Sequence, residues 1–144
     1  MEPLVLLVID SSVVAKWLFP EELHEQAMAV RRNWDSSTVE LIAPDLMLIE
    51  VSNIIWKKQR LGLITAEEGF NAVTNLLALS IPVVEPQCIL SNAYSLAKFY
   101  DRTVYDALYL ALADLMQAQF ITADLRLYNA VSSKLQFVQY LGSY

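Results

Sequence analysis

Thr103-Val-Tyr-Asp-Ala-Leu-Tyr-Leu-Ala-Leu-Ala113, then Asp114 to Gln119, then Phe120-Ile-Thr-Ala-Asp124, is the stretch that decides how this chain is read. Its first part is apolar at nearly every position of a helical period, which predicts a helix buried on most sides. Asp106 nevertheless sits one turn inside that helix. Asp124 follows directly on a short β-branched and aromatic run that reads as a strand. Carboxylates are rarely buried without something to pair with them. Asp10 and Glu50 stand in similarly apolar company, and the four together point to a site for a divalent metal ion.

Working outward, a chain of 144 residues is the size of a single domain, 1–144, with one substantial core. Hydrophobic residues make up 56% and charged residues 18%, which excludes disorder and leaves apolar surface for an oligomer or a bound partner. No apolar run approaches the roughly 20 residues of a membrane span. No basic region and cleavable apolar core open the chain either, so neither a membrane nor a secretory role is expected. Cys88 is alone, which removes disulfide frameworks and cysteine zinc sites, and the expectation for it is a small buried hydrophobe in a reducing cytoplasm. A formal net charge of −6 argues against nucleic acid on its face. Lys57, Lys58 and Arg60, and Arg31 with Arg32, are explained by the preference of cations for helix C-termini.

The elements alternate. Leu4 to Ile9 is a continuous apolar run suited to a central parallel strand. A short helix over Val13 to Phe19 is stopped by Pro20, and Glu21 to Trp34 reads as a second helix with acids in its first turn. Val39 to Ala43 is the next strand, and Pro44-Asp45 opens a helix through Arg60 that Gly62 closes. Thr65-Ala-Glu-Glu68 has capping-box spacing and starts a helix to about Leu79. Ile81 to Val84, a helix over Gln87 to Tyr100, the buried helix from Thr103, a strand at Phe120 to Thr122, a helix after Asp124 and a strand at Gln136 to Tyr140 follow. This alternation predicts an α/β chain, a three-layer α/β/α sandwich around a mostly parallel sheet.

Three of the four acids have an ordinary alternative. Asp10 and Asp124 lie past the carboxyl ends of strands, where open α/β sheets bind ligands, yet Asp in such a turn also caps the next helix. Ser11 and Ser12 offer further caps at the first of these turns. Asp106 completes capping-box spacing with Thr103 and suits the helix dipole. Glu50 has no intrahelical cation, since its neighbours along the helix are Leu46, Met47, Asn53 and Ile54. Unit charges at ~4 Å repel by about 4 kcal/mol per pair at an effective dielectric near 20, so clustered acids need a cation. An oxygen-only set selects Mg²⁺ or Mn²⁺. His24, on a helix rich in Glu, reads as a surface residue. Spacing alone leaves open whether the acids converge.

Four stretches in order resemble the PIN-domain family, most closely VapC-type toxin ribonucleases. They are Val8-Ile-Asp10-Ser-Ser12-Val-Val-Ala-Lys16-Trp17, Pro44-Asp-Leu46 through Glu50-Val-Ser-Asn53, Tyr105-Asp106-Ala-Leu-Tyr109-Leu-Ala-Leu-Ala113, and Thr122-Ala-Asp124-Leu-Arg126. The resemblance implies that Asp10, Glu50, Asp106 and Asp124 are catalytic metal ligands, supported by Ser12, Asn53 and Thr122. It implies a Mg²⁺- or Mn²⁺-dependent endoribonuclease, with RNA as substrate. A cognate antitoxin protein would set an Arg or Lys into the acidic site, and a homodimer would cover further apolar surface. A stand-alone PIN nuclease in RNA processing shares every motif, and a non-catalytic PIN-like interaction module, its acids only capping helices, is the non-enzymatic alternative. A phosphotransferase would need a second Asp where Ser12 stands. Lys16 either approaches the phosphate or covers apolar surface with its stem. Tyr105 and Tyr109 either stack on bases or pack in the core, core packing being the expected role, and the 65–100 segment carries no motif.

Overall fold

A computed structural model describes residues 4–144; residues 1–3 lie outside the described residues. The strands are β1 (Val5–Ile9), β2 (Val39–Pro44), β3 (Val83–Val84), β4 (Gln119–Thr122) and β5 (Val138–Tyr140). The helices are α1 (Ser11–Leu18), α2 (His24–Asp35), α3 (Leu46–Arg60), α4 (Ala66–Ala78), α5 (Leu90–Tyr100), α6 (Val104–Met116) and α7 (Leu125–Val131). The sheet order is β3-β2-β1-β4-β5 and every pairing is parallel, where a mostly parallel sheet was expected.

That order fixes the layers. The chain steps from β1 through β2 to β3 in one direction, then returns across the sheet to β4 and β5 on the other side of β1. Right-handed crossovers therefore place the helices of the two halves on opposite faces, giving the α/β/α sandwich. α1 packs on α2 and α3, and α6 packs on α5 and against β1 and β2. The direction reverses between β1 and β4, and the crevice above their carboxyl ends is the ligand position in open α/β sheets. β1 is buried from Leu7 onward and β4 from Phe120 onward, so the residues just past them emerge from a packed core. α6 lies across this core with Ala107 to Ala113 buried without interruption, and Tyr109 stacks on Phe120 with ring centroids 5.5 Å apart.

Several expectations shift. α1 begins at Ser11, two residues before Val13, and α2 begins at His24, so Glu21 and Glu22 precede it. Leu23 adopts φ 66 there, and Glu21 is instead drawn to Lys58 at 2.6 Å and Lys16 at 4.0 Å. The Lys16 stem is largely buried, which fits a lysine covering apolar surface. His24 is half-buried with Nδ1 2.8 Å from the Lys16 carbonyl oxygen. The helix expected from Gln87 divides into a 3-10 turn at Pro86–Cys88 and α5 from Leu90. Cys88 sits on that turn and is exposed, not buried, its thiol directed at the Glu85 carbonyl. Tyr105 is 62% exposed, because burial along α6 starts only at Ala107. The Thr65 capping box forms in full.

Candidate metal centre

Asp10 stands at the end of β1 with only 7% of its surface exposed. Its backbone begins α1, but its side chain makes no capping hydrogen bond, so the capping alternative fails for this residue. The carboxylate is held instead by hydroxyls. Thr122 Oγ1 donates to Asp10 Oδ2 at 2.6 Å, Ser12 Oγ donates to the same oxygen at 2.8 Å, and Ser11 Oγ lies 3.4 Å from Oδ1. Thr122 and Ser12 then accept from the backbone N–H groups of Asp124 and Ala123, each at 3.0 Å. One hydrogen-bonded seam thus ties the ends of β1 and β4 together around Asp10 Oδ2 and leaves Oδ1 the freer oxygen.

Glu50 projects from α3 and accepts from the Tyr109 hydroxyl at 2.6 Å, which links α3 to α6. Tyr109 is a core residue, as expected, but its polar tip reaches the site. A buried phenol needs a partner, and three residues beyond Asp106 on a helix its hydroxyl shares that face, so the signal was present in the sequence. Burial, then the charges of Asp10 and Glu50, push the Tyr109 hydroxyl far above its ordinary pKa, so it acts only as a donor. Tyr109→Phe is expected to cost about 1 kcal/mol at pH 7.5, read from the urea midpoint, because it strands a charged acceptor. An unchanged midpoint would mean that the bond contributes nothing.

Asp106 lies on the first turn of α6. Its backbone N–H donates to Thr103 Oγ1 at 3.0 Å, but its carboxylate does not return the capping bond and faces Arg102, whose Nη2 donates to Oδ2 at 3.4 Å. Only half of the expected capping box forms. Asp124, exposed, does cap α7, accepting from the Leu127 N–H through Oδ1 at 3.1 Å and leaving Oδ2 free. Asn53 is exposed one turn along α3 from Glu50 and is not among the donors to that carboxylate.

The acids sense one another. Burial raises Asp10 from 3.8 to about 6, against the lowering effect of the Thr122 and Ser12 bonds, and the charges of Glu50 and Asp106 add to the rise. Glu50 is raised by burial first, opposed by the Tyr109 and Ser11 hydroxyls, with the Asp106 charge adding to it. Asp106 is raised by burial first, opposed by Arg102, and the charge of Asp124 pushes it further. The charges of Glu50 and Asp106 thus act on Asp10, that of Asp106 on Glu50, and that of Asp124 on Asp106.

The donor set is all oxygen, which suits a hard cation. Among the described residues no three His, Cys, Asp or Glu side chains close into a direct-ligand group. Mg²⁺ keeps part of its water shell, so carboxylates that do not reach such an ion directly can still act on it through water. Asp10 is the observation that makes the fit specific: a desolvated carboxylate whose hydrogen-bonding partners are neutral hydroxyls. Such a charge is costly unless a cation lies close by or the carboxyl takes up a proton.

A family model described as PIN domain matches residues 7–132, a span that holds all four acids. Ribonuclease VapC3 of Pyrobaculum aerophilum is 36% identical over 123 residues, 84% of this chain and 91% of that protein. The crystal structure of PAE2754 from Pyrobaculum aerophilum matches with a TM-score of 0.70 at 21% identity, covering 96% of this chain and 85% of that one. Mycobacterium tuberculosis VapC20, described as a sarcin-ricin loop cleaving toxin, matches with a TM-score of 0.63 at 17% identity, covering 87% and 95%. FitAcB from Neisseria gonorrhoeae matches with a TM-score of 0.58 at 17% identity, covering 86% and 91%. The structural likenesses carry the fold, the VapC3 identity carries the kinship, and the chain belongs to the PIN-domain family, among its VapC-type members.

Proposed function

We propose that this chain is a Mg²⁺- or Mn²⁺-dependent endoribonuclease, the toxin of a type II toxin–antitoxin pair, acting on RNA in the cytoplasm. The observation that carries the reading is the buried Asp10 carboxylate, raised by its surroundings and set among Glu50, Asp106 and Asp124. The relatives named as a ribonuclease and as a sarcin-ricin loop cleaving toxin support hydrolysis of RNA phosphodiester bonds. Asp10, Glu50, Asp106 and Asp124 would hold the cation, which supplies charge neutralisation at a phosphate oxygen and a more acidic water.

The chain's own residues do the rest. Thr122 and Ser12 fix Asp10 Oδ2 and leave Oδ1 the freer oxygen for a cation. Tyr109 fixes Glu50 through one carboxylate oxygen. Asp124 uses Oδ1 to cap α7, which sets the direction of Oδ2. Outer partners of this kind orient ligands and raise affinity for the ion. An acidic crevice on a chain of net charge −6 repels RNA until cations fill it, so binding and cleavage share one requirement. The same charge gives a cognate antitoxin a place for an Arg or Lys. Exposed Trp56, Phe70, Tyr94 and Phe99 offer apolar surface for that antitoxin and for a second copy in a homodimer. No helix among the described residues is long and apolar enough to cross a membrane.

The test combines two readouts. Mn²⁺ added to metal-free protein is expected to raise the melting midpoint progressively with concentration, since a ligand of the folded state stabilises it. RNA should be cut with Mn²⁺ present and left whole in chelator. A midpoint that ignores Mn²⁺, with no cleavage, would leave the acids as hydrogen-bonded structural groups with no metal role.

A further inference from the structure

Arg102 is the residue the proposed chemistry leaves unexplained. It lies between two helix ends. Asp101 closes α5 in the left-handed conformation with φ 53, the Arg102 N–H bonds to the Ala97 carbonyl at 3.0 Å, and Thr103 caps α6. Its backbone is thus pinned and only its side chain is free to move. That side chain is 25% exposed and reaches Asp106 with a single long contact of 3.4 Å. Arg102 Nε is buried with no hydrogen-bond partner, alone among the described side-chain polar atoms in that state.

A guanidinium has five donors in a planar fork that matches a carboxylate or a phosphate through two parallel bonds. Here one donor is engaged, at the edge of hydrogen-bonding distance, and another is buried unsatisfied. A buried donor left unmade is costly, so this placement is one the side chain leaves readily when a better partner arrives. The contact also sets a permanent positive charge against a carboxylate of the metal centre, where an incoming divalent ion must compete with it. Lys58 and Lys16, cations that other elements supply, are held by Glu21 instead.

We propose that Arg102 is a counter-ion of the acidic centre in metal-free protein: it pairs with Asp106 until a divalent cation replaces it, and the freed guanidinium then grips a phosphate of the RNA. The inference rests on the metal-dependent nuclease reading above. It assigns this chain's Arg102 two roles, weakening metal binding and strengthening substrate binding. An arginine that merely oriented Asp106 would strengthen both.

The experiment is calorimetric titration of Mn²⁺ into the full chain and its Arg102→Ala variant, with steady-state cleavage of an RNA oligonucleotide in saturating Mn²⁺. Arg102→Ala is expected to bind Mn²⁺ about tenfold more tightly, because one like charge beside the ion is gone. Its KM for RNA should rise about tenfold with kcat little changed, the loss of one charge-assisted phosphate contact. Arg102→Lys should keep wild-type Mn²⁺ affinity while its KM rises, since it retains the charge without the fork. If Arg102→Ala does not fold, Arg102→Gln carries the same comparison. Wild-type protein that binds no Mn²⁺ defeats the metal-centre reading and this inference with it. Wild-type binding with equal or weaker binding in the variant overturns the inference alone. An unchanged KM overturns the phosphate role.

Discussion

Asp10→Asn is expected to cut RNA at least about 100-fold more slowly than the wild-type chain, beyond the ~10–100-fold that changes in the partners of metal ligands cost. The substitution keeps the shape of the side chain and an oxygen to accept from Thr122 and Ser12. It removes the charge that a cation would neutralise, so loss of activity cannot be attributed to a collapsed site. The metal-free variant should melt at or above the wild-type temperature at pH 7.5. Burial raises Asp10 to about 6, and the neighbouring Glu50 and Asp106 charges oppose its ionisation, so its charge destabilises the folded state when no cation is present. Reduced activity together with a raised apo midpoint is a combination that a structural acid does not give. Full activity, measured on an RNA substrate in Mn²⁺, would sink the role assigned to Asp10 and with it the centre.

The path from sequence to site shows which steps were local. The apolar run of α6, the Thr65 box and the strand–helix alternation are written in neighbouring residues, and the fold class followed from them. The status of Asp10 was not local. Three candidate caps, Asp10, Ser11 and Ser12, stand side by side in the sequence. What turns the Asp10 side chain away from α1 is a hydroxyl 112 positions along, on β4, and no periodicity encodes that bond. Arg102 and Asp106 are four residues apart, the spacing of a helical ion pair, but Arg102 precedes α6, so helical periodicity does not reach it. Tyr105 and Tyr109 share a helix and a residue type, yet one is exposed and the other buried, because the first turn of α6 projects beyond the packed core. Hydropathy likewise could not place Cys88, whose exposure follows from the turn that Pro86 imposes before α5.

Acid should strengthen the metal-free fold, and Asp10 should carry the largest share of the effect. Asp10 titrates at about 6 in the folded chain against an ordinary 3.8. The unfolded chain therefore ionises first as pH rises. The stabilisation from a protonated Asp10 is complete below pH 4 and fades as pH climbs through 6, the reverse of a salt-bridged carboxylate. A shift of this size corresponds to about 3 kcal/mol over the whole window, and roughly half of it separates pH 5 from pH 7.5. For a chain of this length that is a rise in melting temperature of roughly 4 °C on going from pH 7.5 to pH 5 in chelator. Glu50 and Asp106 are raised as well and act in the same direction. Saturating Mn²⁺ should remove the dependence or reverse it, because protons then compete with the ion for the same oxygens. Asp10→Asn should flatten the metal-free profile, leaving only the smaller slope from Glu50 and Asp106. Melting curves in chelator at pH 5 and 7.5, for both chains, decide the matter. A wild-type midpoint that falls on acidification, or a variant slope as steep as the wild type's, would show that Asp10 is not the desolvated charge at the centre of this site.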